Sequence, residues 1–161
     1  MTLLAVQILF NFIIAIIWMF LHDAWNALTF ISGYFIGFLF IFALRRFFPT
    51  RFYGYTVIAV VKLVFLFISE LISSSILVAK QVTRPTINVT PGIFKVHTNL
   101  ESDWEITLLS SLITLTPGSV VIEIAMEEKV LFIHAMDIPE SEALVLKAQE
   151  KFERAIMEVT R

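Results

Sequence analysis

Cysteine is absent, so disulfides and thiolate metal sites are excluded and cysteine usage says nothing of the redox compartment. Glycine and proline are sparse, five of each in 161 residues, which leaves little material for a glycine-rich phosphate loop. Charge is scarce too: Asp, Glu, Lys and Arg make up 16% of the chain, against about a quarter in an ordinary soluble domain. The three histidines, His22, His97 and His134, show neither HxH nor HExxH spacing, and no Ser-His-Asp order with a nucleophile turn occurs. These deficits give the expectation of no catalytic residue, no cofactor and no metal site.

What the chain has instead is apolar surface. Hydrophobic residues are 58% of it and the mean hydropathy is +0.84. The net charge of −2 hides an asymmetry. Residues 1–84 carry six Lys/Arg against Asp23 and Glu70, and residues 85–161 carry six against twelve Asp/Glu. A basic apolar part followed by an acidic one indicates two kinds of module, with no basic patch suited to nucleic acid.

From Leu3 to Leu21 only Gln7, Asn11 and Trp18 interrupt an aliphatic and phenylalanine run, long enough to cross a hydrocarbon core of about 30 Å. No positive residue precedes it and no small-residue cleavage site follows, so it reads as a span rather than a leader. Gln7 and Asn11 share a face and are expected to hydrogen-bond to a neighbouring helix. After a short His22-Asp23 turn, a second span is expected over 24–44. In it Thr29, Gly33 and Gly37 recur every fourth residue, a ridge that admits another helix backbone, with the first span as partner. Arg45, Arg46 and Arg51 follow, which places that loop in the cytoplasm by the positive-inside rule.

Residues 55–84 contain neither Gly nor Pro and are expected to form one helix. Lys62, Ser69, Ser73, Lys80 and Arg84 fall on a single face of an otherwise apolar segment, with Glu70, Ser74 and Gln81 beside it. Two readings stay open. The helix crosses the bilayer as a third span, or it lies along the surface with its stripe toward water. Lys62 and Glu70 are too far apart to pair within the helix, so water, lipid head groups or a neighbouring protein are their expected partners.

Pro85 ends that helix. Short strands are expected at Ile87–Val89 and Ile93–Thr98 around a Thr90-Pro91-Gly92 turn, and Ser102 with Glu105 forms a capping box opening a helix to about Leu115. Trp104, Leu108, Leu112 and Leu115 line one face of it, and Thr116-Pro117-Gly118 is expected to end it as a structural turn. Val120, Ile122, Ile124 and Met126, then Val130, Phe132, His134 and Met136, alternate along a hairpin turning at Glu127-Glu128. Pro139 suits the first turn of a last helix, which is expected to bury Leu144, Ala148, Phe152, Ile156 and Val159. The expected protein is therefore an α-helical membrane protein in three parts: a transmembrane hairpin with its arginine loop (1–54), an amphipathic or membrane helix (55–84), and a small α+β domain of order β-β-α-β-β-α (85–161).

Pro91-Gly-Ile-Phe-Lys-Val96, the Ser102-Asp103 helix start, His134-Ala-Met-Asp137 and above all Thr107-Leu-Leu-Ser-Ser-Leu-Ile-Thr-Leu-Thr-Pro-Gly-Ser119 resemble the E subunit of Mrp-type sodium/proton antiporters, the MrpE/MnhE family. The resemblance covers the chain in length, hydropathy and order of modules. It implies a component of a bacterial or archaeal plasma membrane; that the chain is multi-pass with a cytoplasmic C-terminal domain is expected from the apolar runs and the charge rule, which the surface-lying helix satisfies. It also implies a complex that exports Na⁺ in exchange for protons, with large complex I-like subunits and small membrane subunits as partners. In such complexes the large subunits are thought to carry the ion paths and the E subunit is accessory, with no catalytic motif to carry over. Residues alone, without the resemblance, favour a membrane-anchored scaffold or self-associating protein.

Overall fold

The computed structural model describes residues 3–48, 51–86 and 89–161. In chain order they form α1 (Leu3–Leu21), α2 (Ala27–Ala43), a short 3-10 turn (Arg45–Phe47), α3 (Tyr53–Val82), β1 (Gly92–His97), α4 (Asp103–Leu115), β2 (Ser119–Ala125), β3 (Val130–Ala135) and α5 (Ile138–Thr160). Two compact units result, one up to Ile58 and one from Ala59 to Arg161. The chain is mostly helical, with one small antiparallel sheet.

In the first unit α1 and α2 pair as a hairpin. The second helix begins at Ala27 rather than Ala24, because Asn26 caps it: its side-chain oxygen accepts the Thr29 N–H at 2.9 Å. Ile41, Phe52 and Tyr53 form a small core beneath Phe38 and Phe48. Phe52 makes edge-on ring contacts with Phe38 at 5.1 Å and Phe42 at 5.4 Å. Arg45 is drawn onto this cluster, its guanidinium 4.3 Å from the Phe42 ring and 3.1 Å from the Tyr55 hydroxyl. The outer faces of both helices expose Leu9, Phe10, Phe12, Leu28, Ile31 and Phe35, far more apolar surface than water tolerates in one patch.

The helix α3 is long and apolar enough to cross a membrane, and α1 and α2 are shorter apolar helices. Within the second unit α3 has three distinct faces. Leu63, Leu66 and Phe67 join the core of the α+β part, and Glu70, Ser74, Leu77 and Gln81 continue that face. Lys62, Ser69, Ser73 and Lys80 form an exposed polar stripe. Val64, Phe65, Ile68, Ile72 and Ile76 form an exposed apolar one.

The sheet has strand order β1-β3-β2, all antiparallel. The expected strand Ile87–Val89 lies mostly outside the described residues, and Val89 is not in a strand, so the described order is β-α-β-β-α. The buried face of β3 is Leu131, Ile133 and Ala135. On β2 a bulge between Val121 and Glu123 shifts the register, leaving Val120 and Ile122 exposed. Both faces of these strands are apolar, so alternation alone did not decide which one turns inward.

The helices correct the expected faces in the same way. In α4 the buried side is Ile106, Leu109, Leu112 and Ile113, while Trp104 and Leu115 are exposed. In α5 Phe152 and Ile156 are fully buried, but Leu144 keeps half its surface open. Glu153, though charged, is buried: it accepts from the Gln149 amide at 2.6 Å and from Asn99 at 3.3 Å. That cluster, with Gln149 donating to the His97 carbonyl at 3.0 Å, satisfies the backbone where β1 ends.

Candidate functional site

Gln7 and Asn11 stand one turn apart on α1, both fully buried. The Gln7 amide brackets the first turn of α3, its oxygen accepting the Tyr53 N–H at 3.0 Å and its nitrogen donating to the Arg51 carbonyl at 3.3 Å. A helix start leaves such N–H groups unpaired, and here a residue 46 positions away supplies the cap. Asn11 donates to the Tyr53 hydroxyl at 2.7 Å. The partner is the beginning of α3, which local periodicity in α1 did not identify.

Gly33 and Gly37 face α1. A β-carbon at Gly33 would stand 2.7 Å from Trp18 Cβ, and one at Gly37 would collide with Asn11 Oδ1 and lie 3.2 Å from Ile14 Cβ. The close approach of the two helices requires glycine at both positions.

Lys62 and Glu70 find their partners within the chain. Lys62 Nζ is 3.3 Å from Glu158 Oε2, with both side chains well exposed, and Lys151 Nζ is 2.6 Å from Glu70 Oε1, whose side chain keeps 19% of its surface. This replaces water, lipid or a neighbouring protein as their expected partners. The signal was missed because α5 lies 81 to 96 residues further on, beyond any local pattern.

The Thr107–Ser119 run closes α4 and starts β2. Thr116 donates its hydroxyl to the Ile113 carbonyl at 2.6 Å, and the buried Ser119 donates to the same oxygen at 3.2 Å. Gly118 has φ +96, and a side chain there would also press on Val78 of α3, 3.3 Å away. Its carbonyl receives the Met136 N–H at 3.0 Å. This turn, α3 and α5 enclose a cavity of about 250 Å³, whose lining includes Glu70, Ser73, Lys80, Leu77, Pro117 and Leu144.

The capping box at the start of α4 is made chiefly by Glu105. Its carboxylate takes the Ser102 and Glu101 N–H groups at 3.3 and 3.2 Å, and the Ser102 side chain faces the backbone of Glu105 to complete the box. With the Thr160 hydroxyl foremost and these backbone donors added, the Glu105 acid is lowered to about 2 despite its burial. Asp137, buried before α5, accepts the Thr90 N–H at 3.2 Å, so both acids serve backbone. His97 and His134 sit toward opposite ends of the paired strands, at Val130 and Ile93 in register. Among the described residues no group of three His, Asp or Glu is placed to hold a metal ion.

A family model described as Na⁺/H⁺ ion antiporter subunit matches residues 11–159. The chain belongs to this family. It is 48% identical to the E subunit of the Na⁺/H⁺ antiporter of Bacillus subtilis, over 98% of this chain and all of that one. It is 43% identical to the corresponding E subunit of Alkalihalophilus pseudofirmus, again over 98% of this chain and all of the relative. Among solved structures, a chain of an archaeal respiratory membrane complex, the membrane-bound sulfane sulfur reductase, covers 93% of this chain and 98% of its own. It superposes with a TM-score of 0.55 at 24% identity, a likeness of fold. For a member of this antiporter family, most of the polar side chains above serve structure: Gln7, Glu105 and Asp137 hold backbone groups, Lys62 and Glu70 meet opposite charges, and Asn11 holds the Tyr53 hydroxyl.

Proposed function

We propose that this chain is a non-catalytic accessory and assembly component of a multi-subunit antiporter that exports Na⁺ in exchange for protons, in a bacterial or archaeal plasma membrane. The observation that carries the reading is full-length identity of 48% to the E subunit of an antiporter. The use of the buried polar groups supports the word accessory. Gln7, Asn11, Glu70, Glu105 and Asp137 all hold helices or strands, and a proton carrier needs a titrating group with somewhere to hand its proton. Its partners on this reading are the large complex I-like and the small membrane subunits of an Mrp-type complex, together with the lipid bilayer.

The arrangement in the membrane is two spans, α1 and α2, with the arginine loop and the C-terminal domain in the cytoplasm and α3 along the cytoplasmic surface. Support comes from α5. It packs on α3 between Lys62 and Glu70 while exposing Lys147, Glu150, Lys151, Arg154 and Glu158. A stretch of α3 with those charges alongside does not suit hydrocarbon. Only Tyr53–Val61 precedes it, nine residues or about 14 Å, half of what a bilayer core requires. On this view the working parts are 1–54 as hairpin and loop, 55–84 as an interface helix, and 85–161 as the cytoplasmic domain.

Native purification of the full-length chain from its own membranes tests the proposal. Co-elution of large hydrophobic partners with Na⁺-dependent antiport activity is the expected result. A homo-oligomer eluting alone overturns it and restores the self-associating scaffold.

A further inference from the structure

Of the side-chain donors lining the cavity beside the Thr116–Ser119 turn, all but Ser73 and Lys80, both on the exposed stripe of α3, are already used. Ser74 donates to the Glu70 carbonyl at 2.7 Å, and Thr116 and Ser119 both donate to Ile113. The Glu70 carboxylate is held by Lys151 at 2.6 Å. The rest of the wall is hydrocarbon, chiefly Leu77, Ile113, Pro117, Leu144, Val145 and Ala148. An occupant therefore meets apolar surface and little to hydrogen-bond with, so its buried part is apolar.

The mouth differs. Lys80, exposed on the polar stripe of α3, reaches the lining and has no ion pair among the described residues. Ile76 belongs both to the cavity wall and to the exposed apolar stripe of α3. One cation at the rim, hydrocarbon within, and an opening beside an apolar helix face together fit a molecule with an anionic head and a long tail. The volume of about 250 Å³ is too small for a whole lipid but ample for part of one chain.

We propose that this cavity takes an acyl chain of an anionic phospholipid drawn from the bilayer, with the phosphate at Lys80. The inference rests on the reading of α3 as an interface helix. It adds a lipid whose tail bridges α3, the Thr116–Ser119 turn and α5, so that the composition of the membrane bears on how firmly the C-terminal unit is held together.

The test uses the intact complex in vesicles containing phosphatidylglycerol that carries a diazirine in its acyl chain. Irradiation and peptide mapping are expected to place adducts on Leu77, Leu144 or Val145 as well as on the exposed Phe65 and Ile72. Ala148→Trp, which fills the cavity, should abolish the first set and spare the second. Lys80→Gln, which leaves the packing alone, should lower cavity labelling roughly fivefold, the weight of one lysine at an anionic surface, and remove any preference over phosphatidylcholine. Labelling of Phe65 and Ile72 without the cavity residues overturns the lipid site and leaves the interface helix standing. Absence of label on Phe65 and Ile72 overturns the interface reading itself. A photoreactive residue at position 144 that joins to a neighbouring protein instead of lipid shows the cavity to be a protein contact and overturns the proposal.

Discussion

The side-chain oxygen of Asn11 occupies the space that a β-carbon on Gly37 would need. That oxygen has no hydrogen-bond partner among the described residues, while the amide nitrogen of the same side chain donates to Tyr53. Glycine at position 37 therefore serves two contacts at once: it admits α1 beside α2, and it lets Asn11 hold the start of α3.

Gly37→Ala should displace Asn11 and break its bond to the Tyr53 hydroxyl. The expected loss is about 1–2 kcal/mol, a buried hydrogen bond with a partner left unsatisfied. Tyr53→Phe should lose less than Gly37→Ala, and in a Tyr53→Phe background the alanine should do correspondingly less harm. Thermal unfolding of the detergent-solubilised full chain measures this cycle. Full additivity of the two changes would detach Gly37 from the hydrogen bond.

Glu70 should prove to be a packing group. Glu70→Gln and Lys151→Gln are each expected to weaken the second unit, with a coupling of about 0.5–1 kcal/mol between them because Lys151 is half exposed. Na⁺-dependent ΔpH activity in vesicles, normalised to the amount of assembled complex, should stay near normal. Lost activity at normal abundance in Glu70→Gln would put α3 on the ion route instead.

Acid should loosen the second unit through Glu105. Its folded value, about 2, lies below the unfolded reference of 4.5, so its contribution is fully present above pH 4.5 and disappears as pH falls toward 2. The shift corresponds to roughly 3 kcal/mol. Glu105→Gln should lower stability at pH 7 and flatten its fall between pH 4.5 and 2, followed by fluorescence from the exposed Trp104. A parallel profile in the variant would assign the acid sensitivity to other carboxylates.

Orientation is open to cysteine labelling, since the natural chain offers no background thiol. Glu127 lies in the exposed turn between β2 and β3, where a small thiol disturbs no packing. Glu127→Cys and Arg46→Cys should both resist an impermeant reagent in intact cells and react after lysis. Labelling of Glu127→Cys from outside would make α3 a third span.

Much of this molecule is visible in its residues. The apolar runs, Asn26 aside, place α1 and α2 within a few residues, and the unbroken 55–84 stretch foretells α3. Thr116-Pro117-Gly118 marks the end of α4 because no other residue tolerates φ +96 as glycine does. What local pattern misses is direction. Val130–Ala135 is apolar on both sides, so only the packing of α4 and α5 chooses Leu131 and Ile133. Trp104 and Leu115 lie on a helical face as good as the one buried, and Glu153 looks like surface until Asn99 and Gln149 are seen beside it. The partners of Gln7, Lys62 and Glu70 are all more than 40 residues away, and periodicity has no reach over that separation.

The two ion pairs between α3 and α5 also act as a ruler. Lys62 and Glu70 are eight residues apart, and Lys151 and Glu158 seven, paired in opposite chain directions, so the spacings match to about 1.5 Å. One residue inserted between either pair would turn everything beyond it by about 100° and move one charge off its partner. Relatives that differ in length are therefore expected to take up the difference in the connections, such as 83–91 or 126–129, and to keep both helical intervals intact.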